Sequence, residues 1–130
     1  MADDLIPADV SQFILEKIDS VAELEGLLLL SRNPENSWSV DDLAQRLYAD
    51  KDQTMDVLEH LHSLDFLKTE GDVSRTYRFD PVSPELEQTV ERLSEFYAKY
   101  LVPITNLIHS KPQTKVQKFA DAFKLRRKGK

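Results

Sequence analysis

Apolar residues return every three or four positions through most of this chain, and that spacing predicts amphipathic helices. Four predicted helices precede residue 65. Their apolar faces are Val10, Phe13, Ile14 and Ile18 in the first; Val21, Leu24, Leu27, Leu28 and Leu30 in the second; Leu43, Ala44, Leu47 and Tyr48 in the third; and Thr54, Val57, Leu58, Leu61 and Leu64 in the fourth. Because a short connection separates the third helix from the fourth, the two predict a helix-turn-helix.

Residues with strong capping preferences mark the ends of these helices. Ser20, Ser39 and Asp50 stand just before apolar-periodic stretches, where their side chains can accept hydrogen bonds from the first turn. Asp9, with a glutamine three residues later, predicts a similar start for the first helix. Asp65 ends the fourth helix and tolerates the left-handed conformation that often closes one.

A β-hairpin is predicted after the fourth helix. Two short β-prone stretches, 66–70 and 75–79, flank a tip that contains Gly71. Ser83 followed by Pro84 then starts another helix, because proline at the first helical position loses no needed hydrogen bond.

The last long helix carries a heptad-like seam. Its residues are Leu86, Val90, Leu93, Tyr97, Tyr100, Ile104 and Leu107, spaced alternately by four and three. Phe96, Leu101 and Ile108 widen this seam beyond what one small domain can cover, so we expect the seam to form a homodimer interface. The alternative is a helix folded back on its own core. Pro103 predicts a kink or break near Val102.

The order of these elements defines the expected fold class. It is mainly α with a small β-wing: a winged helix-turn-helix core with N- and C-terminal helices for dimerisation. We expect one winged-helix domain at 1–110, with its core at about 20–80 and its C-terminal dimerisation helix at about 83–110. Residues 111–130 are expected to form a basic amphipathic tail.

Composition narrows the class of protein. The 130 residues are 41% hydrophobic and 31% charged, which is typical of a soluble globular protein. The acidic start lacks the features of a secretory signal, and Leu27–Leu30 is too short to span a bilayer, so we expect a cytoplasmic location. The absence of cysteine excludes disulfides and thiolate zinc sites.

The net charge of −6 is unevenly distributed along the chain. Residues 1–110 contain 22 acids and 9 Lys/Arg, whereas 111–130 contain 8 Lys/Arg and Asp121 as the one acid. This basic tail is expected to seek polyanions or acidic surfaces. The sequence leaves four alternatives open for this tail: a solvated end, docking on an acidic partner, contact with nucleic acid, or contact with an anionic membrane.

The stretch WSVDDLAQRLYADKDQTMDVLEHLHSLDFLKTE, with SRTYRF after it, resembles the DNA-binding core of small bacterial regulators of the MarR-like winged helix-turn-helix family. The resemblance covers roughly residues 20–80. It implies a transcriptional regulator that binds double-stranded DNA as a symmetric homodimer. In that arrangement Lys51 and Gln53 line the major groove, while Lys68, Arg75 and Arg78 of the wing contact the backbone or the minor groove.

The charge of the fourth helix supports a second hypothesis. Affinity for DNA comes largely from phosphate neutralisation by Lys and Arg. Residues 50–59 nevertheless contain four acids against Lys51 alone. The alternative function is therefore a winged-helix interaction module that uses this acidic helix to bind a basic partner protein.

No sequence pattern predicts catalysis, a cofactor or a metal. Three glycines exclude Gly-rich phosphate loops, and no Ser/His/acid spacing suits nucleophilic catalysis, so we expect a protein that is not an enzyme. His60 and His62 are two residues apart and do not share a helix face, and His109 is remote. Trp38 precedes a helix cap and is expected to pack in the core.

Overall fold

The computed structural model describes residues 6–110. Its elements are α1 (Ala8–Lys17), α2 (Val21–Arg32), α3 (Val40–Leu47), α4 (Lys51–Ser63), β1 (Leu67–Glu70), β2 (Thr76–Phe79), α5 (Pro84–Lys99) and α6 (Leu101–His109). The predicted fold class is confirmed: mainly α, with a two-stranded β-wing after a helix-turn-helix. The predicted tail at 111–130 lies outside the described residues. Among the described helices, none combines the length and the apolar character that crossing a bilayer requires.

Side-chain caps start four of the helices where the sequence predicts them. Ser20, Ser39, Asp50 and Ser83 each accept a hydrogen bond from the backbone N–H three residues later, at 3.1, 3.1, 2.7 and 3.3 Å respectively. Each bond satisfies one of the amides that lack a partner in the first turn of a helix.

The predicted cap at Asp9 is wrong. α1 begins after Pro7 with no side-chain cap, so Asp9 lies inside its first turn. The Asp9 carboxylate instead accepts two hydrogen bonds from Arg92 of α5, at 2.9 and 3.0 Å. This guanidinium lowers the pKa of Asp9, because it stabilises the carboxylate form. The contact joins the first helix to the fifth.

The wing is an antiparallel hairpin. Its register pairs Leu67 with Phe79, Lys68 with Arg78, Thr69 with Tyr77 and Glu70 with Thr76. Gly71 at the tip has a φ of +87°, and a Cβ atom there would lie 2.7 Å from the carbonyl oxygen of Ser74. The tip therefore requires a residue without a side chain.

Trp38 joins the wing to the helix-turn-helix, and its predicted place in the core is confirmed. It forms an isolated β-bridge with Tyr77, in which each backbone N–H donates to the carbonyl oxygen of the other, at 2.7 and 2.8 Å. Both side chains are buried. The segment before α3 thus adds a third extended stretch beside β2.

One core draws on every helix and on the wing. Its largest fully buried side chains include Ile14, Ile18, Leu24, Leu27, Leu43, Leu58, Leu61, Phe66, Leu93 and Ile104. The predicted core position of Tyr48 is wrong, since this side chain is 97% exposed. Tyr48 ends α3 in the left-handed conformation, with a φ of 54°, and this change of chain direction turns it out of the apolar face.

The predicted break in the last helix is confirmed, and it falls at Tyr100. This residue has φ −128° and ψ 50°, ends α5 and precedes α6. Pro103 lies in the first turn of α6, where backbone N–H groups have no helical acceptor and a missing donor costs nothing. After the break, α6 packs against α1.

The seam of α5 and α6 is divided between the core and the surface. Val90, Leu93, Tyr97 and Ile104 are buried within their own chain, whereas Leu86, Tyr100 and Leu107 are half-buried. The Tyr97 hydroxyl lies 3.3 Å from a carboxylate oxygen of Glu25, and burial raises the pKa of this tyrosine. Leu101 and Val102 at the start of α6 are 52% and 62% exposed.

Candidate nucleic-acid interface

α3 and α4 form the helix-turn-helix, and close packing fixes the orientation of α4. The turn is closed by a hydrogen bond from the Ala49 N–H to the Ala44 carbonyl oxygen, at 3.1 Å. Gly26 of α2 faces α4, and a Cβ atom at Gly26 would lie 3.3 Å from Cγ1 of Val57. The two helices therefore approach more closely than most side chains would allow. α4 buries one face and exposes the other.

A groove of about 600 Å³ separates the outer face of α4 from the tip of the wing. Lys51 of α4 and Arg75 of the wing both line it, so the fold brings these two predicted DNA contacts together. Gln53, Lys68 and Arg78 lie outside the groove. Gln53 is exposed on α4, and its backbone N–H is held by the cap at Asp50.

Lys51 is paired within its own chain. Its Nζ lies 2.9 Å from Oδ1 of Asp41, which belongs to the first turn of α3. The hydrogen bond and the negative charge of Asp41 raise the pKa of Lys51. Both side chains are exposed, at 72% and 63%, so the pair is open to exchange with another anion.

Two of the three wing cations are also paired. Nζ of Lys68 lies 3.1 Å from Asp80, and the guanidinium of Arg78 lies 3.6 Å from both Glu70 and Asp80. Arg75 is exposed and has no carboxylate within 4 Å in the described part of the chain. Arg75 is therefore the wing residue whose charge is available without breaking an ion pair.

The outer face of α4 is negatively charged. Asp52, Asp56 and Glu59 are exposed, and within residues 6–110 none of them has a Lys or Arg side chain within 4 Å. Met55 is 38% exposed between them, with its sulfur 3.9 Å from the Tyr77 hydroxyl. The helix thus presents three unpaired carboxylates around a small apolar spot.

A second polar site lies near the C-terminal end of α4, and it was not predicted from the sequence. Glu23, in the first turn of α2, is only 2% exposed and contacts Nδ1 of His60. Asp19 lies beside them, with Oδ2 3.7 Å from the same nitrogen. Burial raises the pKa of Glu23, because removal from water disfavours the charged form.

The ion pair between Lys51 and Asp41 and the contact between Glu23 and His60 were not predicted from the sequence, and for the same reason. Asp41 and Lys51 are ten residues apart, and Glu23 and His60 are 37 residues apart, so neither pair forms a local pattern. One signal was available for Asp41: the cap at Ser39 places it in the first turn of α3, beside a predicted tight turn to α4. For His60 the sequence contains no such signal.

Together these elements define the class of fold: a winged helix-turn-helix with additional helices on both sides of the core. No protein-family model matches the chain, and no curated protein matches it in sequence. Several solved structures match it in fold. They have the winged-helix fold of MarR-family transcription regulators.

Three of these structures illustrate the match. The adhesin competence repressor AdcR from Streptococcus pyogenes is 16% identical, with a TM-score of 0.52 over 85% of this chain and 82% of the other. A MarR family protein from Bacillus stearothermophilus is 16% identical, with a TM-score of 0.51 over 98% and 86%. A mutant of MepR from Staphylococcus aureus, bound to an oligodeoxyribonucleotide, is 12% identical, with a TM-score of 0.52 over 94% and 91%. The chain therefore shares the MarR-like fold.

Proposed function

We propose that this protein is a DNA-binding transcriptional regulator that acts as a homodimer. The observation that carries the proposal is a complete helix-turn-helix and wing, in a fold shared along 94% of this chain with a MepR structure that holds an oligodeoxyribonucleotide. In such a fold the second helix of the helix-turn-helix enters the major groove. α4 is the corresponding helix here, and the wing lies beside it.

The five candidate DNA contacts have different roles in this proposal. Lys51 and Gln53 at the start of α4 read base edges, since lysine pairs with guanine and glutamine with adenine. Lys68, Arg75 and Arg78 of the wing contact phosphates, which position the protein without reading sequence. Among the wing residues Arg75 contributes most, because Lys68 and Arg78 have to exchange an intramolecular carboxylate for a phosphate.

The proposed dimer interface is centred on the two helices after the wing. Leu101 and Val102 are exposed, and Leu86, Tyr100 and Leu107 are half-buried, so these residues offer the apolar surface that a second copy would cover. The buried members of the seam, Val90, Leu93, Tyr97 and Ile104, pack in the core of their own chain and fix the positions of α5 and α6.

DNA binding is tested by fluorescence anisotropy on labelled genomic fragments at two salt concentrations. Arg75→Ala is expected to weaken binding about tenfold on every fragment that binds, because a lost phosphate contact acts uniformly across sequences. Lys99→Ala is the matched control: Lys99 is an exposed cation on α5, and we expect this variant to bind within about twofold of the natural protein. No binding to any fragment at low salt contradicts the proposal.

A second candidate function has its own supporting observation. Asp52, Asp56 and Glu59 of α4 have no Lys or Arg partner in the part of the chain that the structure describes, and they suit a basic partner protein better than a phosphate backbone. In this alternative the helix-turn-helix is an interaction surface. The two functions predict opposite effects on binding when these acids are neutralised.

A further inference from the structure

Asp19, Glu23 and His60 form a polar cluster to which nothing in the proposed function assigns a role. They come from three places: the connection between α1 and α2, the first turn of α2, and the C-terminal half of α4. Each offers one ligand atom, and these three atoms all lie within 4.8 Å of one another. We propose that the three residues form a binding site for a divalent transition metal ion such as Zn²⁺.

The distances suit a small ion after a minor rearrangement. Tetrahedral Zn²⁺ holds nitrogen and oxygen ligands at about 2.0–2.2 Å, so its ligand atoms stand about 3.3–3.6 Å apart. Nδ1 of His60 and Oδ2 of Asp19 are already 3.7 Å apart. The contact between Glu23 and His60 has to open to admit the ion, which replaces a direct contact by two coordination bonds.

Glu23 is held in place as a metal ligand would be. One of its carboxylate oxygens, Oε2, accepts a hydrogen bond from the backbone N–H of Asp19 at 2.7 Å. That bond orients the carboxylate and leaves the other oxygen, Oε1, directed at His60. Hydrogen bonds of this kind to ligating carboxylates fix their geometry and raise metal affinity.

The site is closed on one side and open on the other. The Glu23 side chain is 3% exposed, whereas those of His60 and Asp19 are 32% and 39% exposed. An ion can therefore enter from solvent, and a water molecule can occupy a fourth coordination position. A positive ion also compensates two carboxylates, of which one is nearly inaccessible to water, and this favours occupancy.

The donor set selects the class of metal. One imidazole nitrogen and two carboxylate oxygens suit Zn²⁺ and neighbouring transition metals, whereas Mg²⁺ prefers octahedral oxygen ligands and retains its waters. Because the ligands come from α4 and from the start of α2, a bound ion would link these two elements. Binding to the folded state would then raise the unfolding temperature with metal concentration.

The test measures zinc binding to the full, tag-free chain without DNA, so it is independent of the proposed function. Zn²⁺ is titrated in competition with a chromophoric chelator, and thermal unfolding is followed with Zn²⁺ and with Mg²⁺. We expect one Zn²⁺ per chain, a higher unfolding temperature with Zn²⁺, and no such shift with the same concentration of Mg²⁺. Failure of the natural protein to bind Zn²⁺ overturns the proposal.

His60→Gln is the first variant, because glutamine retains a hydrogen-bonding group of similar reach. We expect it to weaken zinc binding by at least about 100-fold, more than the 10–100-fold that loss of an outer-shell partner costs. His62→Gln is the matched control, since His62 is exposed on the same helix, and it should bind within about twofold of the natural protein. Equal affinities in the two variants overturn the site.

Asp19→Asn keeps the test decisive if the first variant unfolds. This side chain is partly exposed and lies in a connection between helices, so its replacement leaves the core intact. Asparagine is a weaker ligand than a carboxylate for a transition metal. A loss of zinc affinity of at least about tenfold is expected, and unchanged affinity with a folded Asp19→Asn chain places the metal elsewhere.

Discussion

α4 and the wing lie on two sides of one groove, yet their charged side chains differ in how they are paired. In the wing, Lys68 and Arg78 are matched by Glu70 and Asp80, and Arg75 is the exception. On α4 the acids have no Lys or Arg partner within residues 6–110, and Lys51 is paired with Asp41 of α3. The wing is close to neutral, whereas the outer face of α4 is negative.

This difference shows that the shape of a winged helix-turn-helix does not fix the charge of its surface. The cap at Asp50, packing in the core and the close approach at Gly26 orient α4. None of these contacts involves the exposed face of the helix, so the charge of that face can vary without changing the fold. A negative helix beside a neutral wing opposes a phosphate backbone. Strong binding to DNA would then depend on ion pairs that open, and on the eight cations of 111–130.

The largest expected effect is a loss of stability when Phe66, at the junction between α4 and the wing, is truncated. Phe66 is fully buried between the end of α4 and β1, with its ring edge-on to Phe13 at a centroid distance of 5.9 Å. Phe66→Ala should lower the free energy of unfolding by about 3–5 kcal/mol, because it removes a large side chain and leaves a cavity. Urea unfolding followed by circular dichroism measures the loss.

Val73→Ala is the control for that substitution. Val73 lies at the tip of the same wing but is 99% exposed, so its truncation should change the free energy of unfolding by less than about 0.5 kcal/mol. Similar urea midpoints for the Phe66 variant and the natural protein would show that burial of this ring does not stabilise the fold.

The second effect concerns the acids of α4. If α4 enters the major groove, Asp52→Asn with Asp56→Asn should tighten DNA binding about tenfold at low salt, since two like-charge repulsions disappear. If α4 binds a basic protein, the same change should weaken that association and slow its on-rate. Anisotropy titrations with DNA and with a basic partner distinguish the two signs.

Glu85→Gln with Glu87→Gln is the matched control for that pair. These two exposed acids occupy the first turn of α5, as Asp52 does in α4, and their replacement changes the net charge equally. We expect a smaller change in DNA affinity. Equal gains in DNA affinity in the two double variants would mean that only the total charge of the protein matters and that α4 does not enter the major groove of DNA.

The smallest effect comes from releasing Lys51. Asp41→Asn removes its intramolecular partner, so DNA binding should tighten about two- to threefold, because an exposed ion pair contributes little. Asp42→Asn is the control, since Asp42 shares the first turn of α3 but has no ion pair among the described residues. Identical affinities for the two variants would exclude Lys51 as a DNA contact.

Local patterns in the sequence were sufficient for most of the fold. Caps at Ser20, Ser39 and Asp50, helical periodicity and the glycine of the wing tip act within a few residues, so each element could be predicted from its own segment. The same reasoning failed at Tyr48, which follows the apolar spacing but ends its helix in a left-handed turn. Periodicity identifies a face and does not identify the residue at which the helix stops.

The sequence by itself determined the elements, their order and the negative charge of α4. The tertiary structure decided what those charges meet, because ion pairs such as Lys51 with Asp41 and the cluster of Asp19, Glu23 and His60 join segments that are distant in sequence. It also decided that Val90, Leu93, Tyr97 and Ile104 are covered by their own chain, since α5 packs against α2 and α6 packs against α1. Helix propensity is local, whereas electrostatic contact and burial depend on which surfaces the fold brings together.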